Sequence, residues 1–112
     1  MSKIYTPNNW QIIHGQPKDK TKGYYRIIAG WSGSYMYGTS WKVSSGCEQV
    51  FDLGDSWKVT QSSGSVYNLS KSSEYSSVAT AGVLEALQEH YLACDITVVK
   101  MENILKNFGI YL

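Results

Sequence analysis

At 112 residues the chain is long enough for one domain, read here over residues 1–112, and too short for two ordinary ones. Ten basic and nine acidic side chains leave a formal charge of +1, so no global field draws the protein onto nucleic acid or an anionic membrane. No stretch reaches the ~18 uninterrupted apolar residues of a membrane span, and MSKIYTPNNW at the start lacks the apolar centre of a signal peptide, so the expected location is the cytoplasm.

In chain order, NWQIIHG (9–15) and YYRIIAGW (24–31) are β-branched and aromatic runs that predict two strands. QPKDKTK between them predicts a solvated hairpin loop. AGWSGSYMYGTSW (29–41) then interleaves Trp31, Tyr35, Tyr37 and Trp41 with Gly and Ser, around a bend too polar to be buried whole.

The next stretch spells one phrase twice, sixteen residues apart: SWKV at 40–43 and 56–59, with VFD at 50–52 answered by VYN at 66–68. Within each phrase apolar and polar residues alternate with a period of two, the pattern of a half-buried strand. The segments SSG (44–46) and SSGS (62–65) supply turn residues. Residues 39–70 are therefore expected to form a meander with Trp41, Val43, Phe51, Leu53, Trp57, Val59, Tyr67 and Leu69 inward. Lys42, Asp52 and Lys58 would share its outer face.

From Ser77 to Ala93 the period changes. Val83, Leu84, Leu87 and Tyr91 make one apolar stripe, and Ser76 or Ser77 can cap the helix N-terminus. That helix is expected to cover the Trp-lined face of the sheet. DITVV (95–99) predicts a strand, MENILKNF (101–108) a helical turn, and GIYL an apolar tail that is docked or used in assembly. The fold class is thus α+β: an antiparallel β-meander of about six strands packed against one main α-helix, with a short C-terminal strand and helical turn.

The chemistry-bearing patterns are sparse. Gly33 to Ser40 has the outline of a phosphate loop, but Thr39 stands where the lysine should be and a strand follows instead of a helix. His90, Cys94 and Asp95 lie close in sequence, yet His14 and Cys47 would have to converge on them to complete a metal site. No nucleophile elbow or metalloprotease motif occurs. Cys47 and Cys94 fit reduced structural thiols. No catalytic residue, metal or cofactor is assigned, and a non-enzymatic role is expected.

The residue palette points elsewhere. Nine Tyr and four Trp accompany ten Gly, and fourteen of the fifteen Ser fall between Trp31 and Ser77. Stiff aromatic rings set among small polar residues are what a protein-recognition surface is built from. The expected partner-binding residues are Trp31, Ser32, Ser34, Tyr35, Met36 and Tyr37, and the expected partner is another protein. Two alternatives stand beside it. One is a binder of nucleotides or single-stranded nucleic acid, with Lys18, Lys20, Lys22 and Arg26 on phosphates and Tyr rings on bases. The other is a homo-oligomeric structural protein assembled through GIYL or a strand edge.

The motifs GWSGSY, SWKVSSG and SGSVY, spread over residues 30–67, together resemble those of small uncharacterised phage- and prophage-encoded proteins. That resemblance assigns no residue a role. It implies an accessory protein that acts stoichiometrically on a host or defence component.

Overall fold

The structure, a computed structural model, describes residues 3–19, 22–34, 38–90, 94–105 and 109–111, with the backbone alone at 32–34, 38–39, 78–79 and 109–111. In order the elements are β1 (Ile4–Tyr5), β2 (Asn9–Pro17), β3 (Tyr24–Ser34), β4 (Gly38–Val43), β5 (Cys47–Asp52), β6 (Ser56–Gln61) and β7 (Val66–Ser70). A 3-10 turn (Lys71–Ser73) leads to α1 (Val78–His90), β8 (Cys94–Val99), α2 (Met101–Ile104) and β9 (Gly109–Tyr111). The protein is mixed α+β, mostly strand, and its strands form two sheets. The first has the order β1-β7-β6-β5-β9 and the second β4-β3-β2-β8. Among the described residues no helix is long and apolar enough to cross a membrane.

Two apolar layers follow from this stacking. Between the sheets, Trp10, Ile12, Ile27 and Ala29 of the second sheet meet Val50, Trp57, Val59, Tyr67 and Leu69 of the first, with Met101 and Ile104 of α2 closing one end. Behind the second sheet, Ile13, Ile28 and Ile96 meet Val83 of α1, with Val43, Leu84, Leu87 and Cys94 around them. The doublets Ile12-Ile13 and Ile27-Ile28 are the cause. Side chains alternate across a strand, so each doublet sends one isoleucine to each layer, as a central strand covered on both faces requires. Each such side chain stabilises the fold by about 1.5–3 kcal/mol.

The helix forms where its spacing predicts. Ser77 and Thr80 hold its start reciprocally: the Ser77 N–H donates to Thr80 Oγ1 at 2.8 Å and the Thr80 N–H to Ser77 Oγ at 3.2 Å. Thr80 Oγ1 lies 3.4 Å from Asn9 Oδ1, tying the helix to β2. The helix does not cover the face that Trp57 occupies, contrary to expectation. That face is already covered by the other sheet, and α1 lies against β3, β4 and β8 instead.

The duplicated phrase is used in two places. Strands β5, β6 and β7 do form an antiparallel meander, but β4 leaves it and pairs with β3 in the second sheet. The connection 44–46, expected as a hairpin turn, is the crossing between sheets. Ser44 anchors it, accepting the Ile27 N–H on Oγ at 2.8 Å while its own N–H donates to the Ile27 carbonyl at 2.8 Å. The two serine-glycine segments then meet: Ser62 N–H donates to the Gly46 carbonyl at 2.8 Å, and the Ser45 and Ser63 hydroxyls lie 2.9 Å apart. The edge of β5 that a four-strand meander would give to β4 is taken by β9, which runs parallel to it with Val50 opposite Ile110. Gly109–Tyr111 of the GIYL tail are thereby docked along their backbone, and Leu112 lies outside the described residues.

Three further expectations change with this topology. Trp41 and Leu53 are each 55% exposed rather than inward. Phe51 lies opposite Lys58 on the outer face of the first sheet, and Val50 takes the inward position, because a register shift between Cys47 and Gln49 reverses the phase of β5. Asp52 and Lys42 leave the outer face to Lys58. Asp52 stands opposite Trp57, and Lys42 sits with its Nζ 5.4 Å from the centre of the Tyr5 ring. The tight links after β5 and β6 use Gly54 and Gly64 at φ of 96° and 90°, where a side chain would be strained.

Candidate functional site

Helix α1 leaves part of the face beneath it uncovered, and a groove of about 300 Å³ opens there. Ile13, Val43 and Ile96 line its floor, Leu87 of α1 stands at one wall, and Trp41, Tyr24 and Arg26 complete it. Each arrives by register. Trp41 lies opposite Gly30 and Val43 opposite Ile28, which puts both on the helix side of the sheet; Arg26 lies opposite Ile13 on the same side. Gly30 presents no side chain beside the indole, and β4 is the outermost strand of its sheet, so nothing described covers the outer side of Trp41.

Arg26 is held by a relay that begins at a glycine. Tyr24 lies opposite Gly15, and its ring crosses the space where a Cβ at Gly15 would collide with Tyr24 Cζ. The Arg26 guanidinium then rests 4.9 Å from the centre of that ring. The result is an apolar groove with two aromatic rims and, among its described lining residues, one cation resting on a ring.

The anticipated recognition residues divide. Tyr35, Met36 and Tyr37 lie outside the described residues, in the connection between β3 and β4. Ser32 and Ser34 belong to the β3 backbone, where Ser34 pairs with Gly38. Trp31 is half-buried: its ring meets Tyr5 edge-on at 6.1 Å and its Nε1–H donates to the Thr6 carbonyl at 3.1 Å. It serves the packing between the sheets, whereas Trp41, expected in the core, is the exposed indole. The anticipated phosphate contacts do not converge either. Arg26 is in the groove, Lys22 lines a different depression with Glu48, and Lys18 lines a third with Asp95. Lys20 lies outside the described residues.

No family model, curated protein or solved structure significantly matches the chain. Among the described residues no group of three or more His, Cys, Asp or Glu gathers. The His14 ring lies tilted against Tyr25 with the centroids 4.8 Å apart, and both cysteines are free thiols.

Two electrostatic features involve residues outside the groove lining. Lys71 donates to Asp52 Oδ1 at 2.8 Å while its Nζ stands 4.1 Å from the centre of the Trp57 ring, sealing one end of the inter-sheet layer. The Lys71 hydrogen bond, aided by the Gly54 N–H, holds the Asp52 carboxyl below its ordinary value. In the other feature, burial pushes the Cys47 thiol from 9.0 up to about 12, outweighing the opposing hydrogen bonds of Gln61 and Ser44 and the charge of Arg26. Burial also moves the Tyr67 phenol from 10.0 to about 12.

At a pH between the unfolded and folded values of these groups, the unfolded chain releases protons that the folded chain retains. Stability is therefore complete below the unfolded values and declines as pH rises toward about 12. Denaturant midpoints measured against pH are expected to fall from about 9.0 upward in the wild type. In Cys47→Ala the decline begins nearer the 10.0 of Tyr67. Identical profiles would mean that the surroundings of the half-buried Cys47 thiol do not hold it protonated.

Proposed function

We propose that this protein acts by binding, not catalysis, and that it recognises another protein through the groove under α1 and the adjoining β3–β4 hairpin. The observation that carries this reading is Trp41, a large indole 55% exposed at the rim of an apolar groove on an outermost strand. A ring left in water beside unfilled apolar surface is the arrangement in which burial by a partner is most favourable, and Trp is prominent among residues that dominate interface energies. The hairpin that carries Trp41 also contains the Tyr35–Tyr37 segment, so those aromatic residues are adjacent in sequence to the groove rim. The resemblance to small phage-encoded proteins suits a stoichiometric accessory role against a host or defence component.

The test compares capture by wild type and Trp41→Ala, with the captured protein identified by mass spectrometry. The substitution is expected to weaken capture by roughly 30-fold, corresponding to a hot-spot loss of about 2 kcal/mol. Thermal unfolding of the same variant should remain close to wild type, separating recognition from folding. Undiminished capture by Trp41→Ala would remove the groove from the interface.

A further inference from the structure

Resting on that protein-binding reading, we infer that the groove takes an acidic–apolar segment of the partner: a large apolar side chain in the groove and a neighbouring carboxylate on Arg26. Among its described lining residues, Ile13, Val43, Leu87 and Ile96 are aliphatic, Tyr24 and Trp41 aromatic, and Arg26 alone is charged. An aliphatic floor selects an apolar side chain and supplies no acceptor for a guanidinium. The Arg26 group carries five N–H donors and no acceptor, in a fork that matches a carboxylate bidentately. Among the described residues it forms no ion pair, and its guanidinium lies 4.9 Å from the centre of the Tyr24 ring. The ring positions the cation without neutralising it.

Size and charge together favour a protein segment over the other occupants. The volume of about 300 Å³ stands at the foot of the roughly 300–1,000 Å³ range of small-molecule sites, so it accommodates side chains of a segment lying across it. Nucleic acid calls for a track of cations, whereas Arg26 is the single cation among the described lining residues.

The measurement is a ¹⁵N–¹H chemical-shift titration of the full chain with acetyl-Gly-Asp-Leu-Phe-Gly-amide and its Asn and Lys counterparts. Wild type is expected to bind the Asp peptide about tenfold tighter than the other two, the scale of a charge-assisted hydrogen bond. Shifts should centre on Ile13, Val43, Leu87, Ile96 and the Trp41 indole. Arg26→Gln should erase the preference, and Arg26→Glu should turn it toward the Lys peptide. Because Arg26 is exposed, both variants should retain the wild-type spectrum elsewhere. Equal affinities for the three peptides would overturn the inference, as would a preference that survives Arg26→Gln or no saturable shift at millimolar peptide. Tighter binding of oligo(dT) that disappears in Arg26→Gln would also overturn it, reassigning the groove to single-stranded nucleic acid. Binding that ignores charge but disappears in Trp41→Ala would sink the carboxylate assignment and leave the protein-binding reading standing.

Discussion

Trp57→Ala is expected to destabilise the protein by about 3–5 kcal/mol, while Trp41→Ala costs about 1 kcal/mol or less. The two tryptophans occupy the same place in the duplicated phrase, so local propensity cannot separate them. Their surroundings do. Trp57 is 6% exposed between the sheets, opposite Leu69 and beneath the Lys71 ammonium, and its loss opens a cavity lined by side chains that cannot collapse together. Trp41 is mostly in water, and its removal leaves no enclosed void. Urea titrations of both variants measure the contrast. Comparable losses would mean that the phrase forms two equivalent hairpins in one sheet, and the two-sheet topology would be wrong.

Trp10→Ala is expected to cost a similar 3–5 kcal/mol, a large share of the 5–15 kcal/mol that holds an ordinary domain together. Trp10 is wholly buried on β2, and its Nε1–H donates to the Ser70 carbonyl at 2.8 Å. That bond spans from the second sheet to the end of β7 in the first, so the side chain both fills the inter-sheet layer and fixes its alignment. Trp10→Phe separates these contributions. It retains most of the apolar volume but leaves the Ser70 carbonyl without its donor, and should cost about 1–3 kcal/mol. Near-zero loss in Trp10→Phe, measured by the same titration, would show that the Ser70 bond contributes nothing.

The strands and the helix were legible because period-2 and 3.6-residue patterns are set locally. A cap at Ser76 or Ser77, which falls on Ser77, and a stripe of buried Val83 with half-buried Leu84 and Leu87 needed no tertiary knowledge; Tyr91, the last residue of the expected stripe, lies outside the described residues. Which sheet a strand joins was not legible, because alternation fixes a face without naming the neighbour. The Ile-Ile doublets in β2 and β3 did carry the missing signal: a strand with adjacent aliphatics is covered on both sides, which a single sheet under one helix cannot provide for two faces. Phe51 escaped because one extra residue in β5 reverses its phase. The short β1, two residues parallel to β7, offered no pattern to read.

In the aromatic stretch leading into β4, burial runs opposite to the expected pattern: Trp31 is half-buried and Trp41 is exposed. Trp31 found packing partners in Tyr5 and Thr6, contacts across sequence that composition does not encode. Trp41 inherited an inward assignment from its resemblance to Trp57. The charge of Arg26 is legible in the sequence, but its setting depends on Tyr24 crossing Gly15, a consequence of β2–β3 register.

The parallel pairing of β9 with β5 has a kinetic corollary. On a ribosome, β5, β6 and β7 emerge well before residues 109–111, so the nascent ribbon waits with one flank unmated. Closure of that flank is a long-range event whose entropic cost slows maturation and prolongs a window for intermolecular strand pairing.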